Sequence, residues 1–171
     1  MDRFIIVRYH EVGLKGRNAP FFFNRLLENL RLACHGLAVD SVRPGHAMAV
    51  LNLAPEADWQ VLRERLGQVF GVARFSLAYR TAPSLDDLAR AILEQVQGRS
   101  FSSFRVTAKR EDKNFPLTSQ EIGKELGAAV QGATGVRVDL HHAELDIAVD
   151  VLPRQAYFSF DWAPGPGGLP V

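Results

Sequence analysis

The sequence predicts an α+β protein of two units, and three observations carry that reading. The first 80 residues follow a strand-helix-strand-strand-helix-strand order, and residues 81–163 open on a capped helix and then set a second helix among strands. Residues 164–171 hold six Pro or Gly, the composition of a linker leaving a domain. With 171 residues and 47% hydrophobic content, the chain can bury one fair core or two small ones. No apolar run approaches the roughly 18 residues that cross a membrane, and no cleavage pattern follows the apolar Ile5 to Val7. The expectation is a cytoplasmic protein with no membrane partner.

In the first unit, Phe4 to Tyr9 forms an apolar strand, and Asn18 then caps a helix with Pro20 in its first turn. Along that helix Phe22, Phe23, Leu26, Leu27, Leu30 and Cys34 recur at three- and four-residue spacings, and Gly36 stops it. Leu37 to Val42 and Ala47 to Leu53 make a hairpin about a turn at Arg43 to His46, with Pro44-Gly45 suited to a reversal. Trp59, Leu62, Leu66 and Val69 mark a second helix, and Val72 to Tyr79 a fourth strand. This order is that of the ferredoxin-like split β-α-β unit. The single Cys34 excludes an internal disulfide and a Cys-rich zinc site, and its place on the apolar helix face makes it a core residue.

The second unit begins at Ser84, which with Asp87 forms a capping-box variant before a helix striped by Leu85, Leu88, Ile92, Leu93 and Val96. In the next strand Phe104, Val106 and Ala108 face a core, while Arg105, Thr107 and Lys109 share the other face. Arg110 and Lys113 follow in a loop, and Thr118 and Glu121 fit the capping box of the next helix. A helix start, with its unpaired amides, thus follows directly on a basic loop. Gly123 and Gly127 lie four apart on that helix, spacing that suits close packing on a neighbour or close approach of an RNA backbone. Gly135 to Leu140, Glu144 to Val151 and Ala156 to Trp162 read as three strands. In the middle one, Leu145, Ile147, Val149 and Val151 alternate with an acidic face, Glu144, Asp146 and Asp150, that would repel RNA.

The net charge of +1 conceals a division. Residues 1–80 carry 11 Lys and Arg against 7 Asp and Glu, whereas residues 81–171 carry 9 against 12. Within the second half, residues 99–124 hold six cations and three acids, and three of the chain's four Lys (Lys109, Lys113 and Lys124) lie there. Such segregation suits a phosphate-binding edge on an otherwise acidic unit, although a solvated strand end has the same composition. The other phosphate candidate is Lys15-Gly16-Arg17, where Gly13 and Gly16 allow a tight turn ahead of the helix at Asn18. An ordinary strand-to-helix turn is its alternative. Neighbouring His141 and His142 point to opposite faces of a strand with no third ligand, which argues against a metal site. His10 with Glu11 fits loop residues better than an acid-base pair.

Two fragments resemble one family. RYHEVGLKGRN (Arg8 to Asn18), running into FFFNRLLENLR, resembles the opening of tRNA 4-thiouridine synthetases, the tRNA sulfurtransferases also linked to the thiazole of thiamine. Phe104 to Gly127, continued by VRVDLHHAELDIAVDV (Val136 to Val151), resembles the THUMP consensus, and GPGGLPV (Gly165 to Val171) resembles the junction before that family's catalytic PP-loop domain. The resemblance implies a ferredoxin-like domain over 1–80, a THUMP RNA-binding domain over 81–163 and a linker over 164–171. Ala143 stands after the paired histidines where the family commonly has Pro. No Ser-Gly-Gly-x-Asp-Ser loop occurs, so ATP would belong to the PP-loop domain and this chain would hold no cofactor and no catalytic residue. The complete protein would activate uridine 8 of tRNA with ATP and insert sulfur from a sulfur-donor protein. This chain would capture the tRNA acceptor end through Lys15, Arg17, Arg105, Lys109, Arg110, Lys113 and Lys124, with little sequence reading. Phe115 would stack on an unpaired base or else anchor its loop against the helix from Thr118.

Two rival readings come from other classes. A stand-alone RNA adaptor would use residues 164–171 as a tether to a separate modifying enzyme. A small acylphosphatase-like phosphohydrolase would share the ferredoxin-like topology and an anion loop like GLKGR, but it leaves residues 81–171 unexplained. Homodimerisation stays open, with no single feature that demands it.

Overall fold

The computed structural model describes residues 1–10 and 16–171, and the chain divides into two compact units, Met1–Ala78 with Asp161–Val171, and Tyr79–Phe160. The sequence places the divisions after residues 80 and 163. The elements in order are β1 (Arg3–Arg8), α1 (Ala19–Ala33), β2 (Val39–Gly45), β3 (Met48–Leu53), α2 (Trp59–Leu66), β4 (Arg74–Thr81), α3 (Leu85–Val96), β5 (Ser103–Arg110), α4 (Ser119–Thr134), β6 (Arg137–Val138), β7 (Leu145–Val151) and β8 (Ala156–Pro164).

The first unit has the expected β-α-β-β-α-β order, with strands arranged β2-β3-β1-β4 and β1 antiparallel to β3 from Phe4 opposite Asn52 to Val7 opposite Ala49. Ile5 and Val7 meet Leu26, Leu27 and Leu30 of α1 and Leu62 and Leu66 of α2 in one core, where Trp59 packs edge-on against Phe75 at 5.8 Å. Fully burying each such aliphatic side chain stabilises by about 1.5–3 kcal/mol. Two local expectations change. Asn18 occupies the position before α1 but already has helical φ and ψ of −89° and −1°, so its side chain makes no capping bond. The hairpin reverses at His46-Ala47, where Ala47 takes φ +56°, and not at Pro44-Gly45, which lie within β2. β2 is the outer strand, where a proline's missing N–H costs no ladder bond.

Residues 164–171, expected as a linker leaving a domain, lie as a strap on this unit. Gly165 N donates to Ala73 O (3.0 Å), Gly167 N to Val72 O (2.8 Å) and Gly71 N to Gly167 O (2.9 Å), while Asn29 Nδ2 donates to Val171 O (2.8 Å). Pro170 is buried, and a Cβ on Gly71 would come within 2.7 Å of its ring. The Pro and Gly residues here serve close packing.

In the second unit the strand order is β8-β7-β5-β6, with β5 parallel to both β7 and β6 and β7 antiparallel to β8. Leu88, Ile92 and Val96 of α3, Ile122, Leu126 and Val130 of α4, and Phe104, Ile147, Val149 and Phe158 of the strands close its core. Both helix starts follow the sequence. Ser84 Oγ accepts from Asp87 N (3.1 Å), and Thr118 and Glu121 make both bonds of the capping box (3.2 Å each). The strand expected over Gly135 to Leu140 shrinks to Arg137–Val138. Asp139 N donates to Phe104 O, and its carboxylate then accepts the amides of His141 (3.1 Å) and His142 (3.0 Å), which turns the chain away from the sheet. Among the described residues, β5 therefore has a strand partner on that side only at Ser103 and Phe104. No described helix is long and apolar enough to cross a membrane.

Candidate nucleic-acid interface

The short β6 leaves an open groove of about 820 Å³ between the free edge of β5 and one face of α4. Its strand side is residues 105–108, its helix side includes Gly123, Lys124 and Gly127, and Val138 and Leu140 rim it. The carbonyl of Val106 faces this side, because a Cβ on Gly123 would sit 3.4 Å from Val106 O. Strand alternation aims the N–H and C=O of Ala108 the same way. The two glycines proposed to act together therefore differ. Gly123 lets α4 approach β5, the packing alternative, whereas a Cβ on Gly127 would meet nothing within 4 Å and opens onto the groove. The charged residues lining the groove are Arg105 and Lys124, with no acid.

The predicted cations fall into two groups. Arg105 and Arg110 are engaged with protein. Arg105 stands opposite Asp146 in the β5–β7 register and bonds its carboxylate at 3.1 Å, with a second bond to Leu140 O (3.1 Å). Thr107 Oγ1 donates to the same carboxylate at 2.9 Å. The acidic face of β7 thus lies beside the basic face of β5 and neutralises part of it. Arg110 Nη1 donates to both Phe115 O (3.0 Å) and Leu117 O (3.2 Å), tying down the loop between β5 and α4. Asp112 finishes that loop by accepting Asn114 N at 3.0 Å.

Lys109, Lys113 and Lys124 are exposed and make no ion pair or hydrogen bond among the described residues. Lys113 rides on the loop that Arg110 holds, and Lys124 lines the groove beside Arg105. Phe115 is half-buried against the second core, where it anchors its loop. In the first unit Arg17 is exposed beside Gly16, whose φ is +97°. Lys15 and Gly13 lie outside the described residues. Cys34 is buried, and burial pushes its thiol up to about 11 against a small opposing effect of Arg65, which leaves it a protonated, unreactive packing group. Sequence reasoning overlooked Gln120, Gln131 and Leu140, which also line the groove.

Comparison with known proteins assigns both units. Residues 4–76 match the ThiI ferredoxin-like domain and residues 79–161 the THUMP domain. The chain thus belongs to the proteins that join a ThiI ferredoxin-like domain to a THUMP domain. It is 44% identical over 171 residues to a probable tRNA sulfurtransferase of Thermus thermophilus, covering 99% of this chain and 42% of that protein. It is 38% identical over 168 residues to one of Moorella thermoacetica, covering 98% and 43%. The chain therefore spans less than half the length of these curated relatives. Among solved structures, a Pyrococcus horikoshii protein, PH1313, superimposes with a TM-score of 0.87 at 28% identity, over 100% of this chain and 57% of that one. A 4-thiouridine synthetase in complex with RNA and bound ATP gives 0.82 at 26% identity, over 100% and 44%.

Proposed function

We propose that this chain is the N-terminal, tRNA-capturing portion of a tRNA sulfurtransferase that makes 4-thiouridine at position 8 of tRNA, with the family's link to thiamine thiazole. The observation that carries the reading is likeness over the whole chain to a 4-thiouridine synthetase whose structure is an RNA complex, together with a THUMP domain in the matching place. Activation of uridine with ATP and delivery of sulfur by a donor protein then fall to polypeptide outside this segment, since the chain has no Ser-Gly-Gly-x-Asp-Ser loop.

Capture divides between the two groups of cations. Lys109, Lys113 and Lys124 neutralise phosphates as solvated point charges, while Arg105 and Arg110 hold the strand edge and loop in place for them. The groove, with inward strand amides, Lys124 and the open flank at Gly127, takes the single-stranded acceptor end, which duplex RNA is too wide to imitate. Arg17 supplies a further phosphate contact from the first unit.

Affinity for tRNA, measured against a duplex lacking the single-stranded CCA end across a salt series, tests this. Preference for tRNA with a steep salt dependence is expected. Lys109→Ala, Lys113→Ala and Lys124→Ala should each lower the slope by about 1, while Cys34→Ala leaves binding intact. Equal, weak binding to both RNAs would overturn acceptor-end capture by this chain.

A further inference from the structure

Backbone N–H and C=O groups of successive residues in a parallel strand turn to alternate sides, so each side of β5 can be accounted for residue by residue. Glu111 N, just past the strand, donates to Val151 O (2.8 Å), which sets the odd-numbered residues of β5 against β7. On the other side Phe104 O accepts from Asp139 N (2.9 Å), so Phe104, Val106 and Ala108 share that side. β6 pairs there only with Ser103 and Phe104. Val106 O and Ala108 N–H therefore turn into the groove with no hydrogen-bond partner among the described residues, and both residues line it. An acceptor and a donor stand side by side in one plane, unused.

We infer that this pair reads the pairing edge of an unpaired cytosine or adenine, which rests on the reading that the groove takes a single-stranded RNA end. Both bases carry an amine donor beside a ring-nitrogen acceptor. The amine donates to Val106 O, and the ring nitrogen accepts from Ala108 N–H. Lys109 and Lys113, exposed and without an ion pair among the described residues, follow Ala108 in the chain and draw phosphates to that end of the edge. The group of the base farthest from its sugar then lies at Val106 O. There cytosine and adenine offer an N–H, whereas uracil and guanine set a carbonyl oxygen against a carbonyl oxygen. At the rim Val138 is 39% and Leu140 65% exposed, apolar surface for the face of a base, and the charged groove residues, Arg105 and Lys124, suit a polyanion. A peptide strand could use the same edge, but Val106 to Ala108 spans only about 7 Å, the width of one base and room for a single paired residue. All three bases of a CCA end carry the amine and ring-nitrogen pattern, so the groove adds base selection to a capture that phosphate contacts alone leave indifferent to sequence.

The test changes atoms of the RNA and leaves the protein as it is. The 171-residue chain is titrated at fixed salt with one RNA duplex that ends blunt or in a short 3′ overhang of cytidine, adenosine or uridine. Cytidine and adenosine overhangs should bind about tenfold tighter than uridine. Purine riboside, which lacks the amine of adenosine, and 1-deazaadenosine, which lacks the ring acceptor, should each lose most of that gain. Ala108→Pro removes the reading N–H on a side where no ladder bond is lost, and the variant should bind adenosine and 1-deazaadenosine overhangs alike. Should that variant fail to fold, the RNA substitutions decide alone. Overhangs preferred over the blunt duplex whatever their base overturn the proposal, leave acceptor-end capture standing and free the edge for an extended peptide. Preference for uridine overturns it too. No preference for any overhang over the blunt duplex removes acceptor-end capture, and base reading with it.

Discussion

A Cβ on Gly165 would collide with the carbonyl oxygen of Val72, and one on Gly71 would come within 2.7 Å of Pro170, whereas one on Gly127 would meet nothing within 4 Å. The strap of the first unit and the groove of the second both rely on glycine, and the side chain is missing for opposite reasons. In the strap its absence is filled by protein, and backbone hydrogen bonds close over it. In the groove the space stays open beside the free edge of β5. The filled glycine supports the fold; the open one costs helix stability without a packing return.

The largest effect expected from this contrast is at Gly165. Gly165→Val forces the strap off Val72 and breaks the bonds from Gly165 and Gly167 to Ala73 and Val72. The loss should be about 2 kcal/mol or more, a fall of about 4–8 °C in Tm. Gly168→Ala is the control. It meets nothing within 4 Å and carries only the strain of φ +73°, about 1 kcal/mol. Equal melting shifts would mean that backbone conformation, and not packing, explains the strap.

At Gly127 the sign reverses. Gly127→Ala adds a methyl where nothing obstructs it and removes a flexible residue from the interior of α4, so stability should rise by up to about 1 kcal/mol. tRNA binding should nevertheless weaken several-fold, because the methyl narrows the groove. A variant that melts higher and binds tRNA as before would show that the ligand does not enter at Gly127.

Much of this was legible in the sequence, and what was not has a physical cause. The apolar stripes of α1 and α3 and the Thr118–Glu121 capping box depend on neighbours a few residues apart, and each appears as expected. The pairing of Arg105 with Asp146 spans 41 residues and depends on β7 lying parallel to β5 in one register. Alternation revealed a basic face and an acidic face but not that they are the same face of one sheet. Arg110 reads as a free cation until its loop folds back to offer two carbonyls. In the strap, Pro and Gly suit both a flexible tether and a tightly seated chain, and the backbone bonds with the close fit at Gly165 separate the two.

The smallest effect concerns the rim of the groove and its response to acid. Backbone amides of His142 and His141, with Arg137 beside them, hold the Asp139 carboxyl below its usual range, and the Ser102 hydroxyl and amide do the same for Glu144. Both groups have folded pKa values below their unfolded ones. Their contribution is therefore complete above the ordinary carboxylate range and is lost as pH falls through the folded values. Acid should release the turn at residues 139–144 that ends β6 and carries Leu140, while the apolar core persists. Amide exchange at His141 and His142, corrected for intrinsic rates, should lose protection in that window, and Asp139→Asn, whose side-chain oxygen still accepts, should flatten the dependence. Protection that held to the pH of global unfolding would mean the turn is fixed by the Asp139 N to Phe104 O bond alone, and the groove's rim would then be as rigid as the strap.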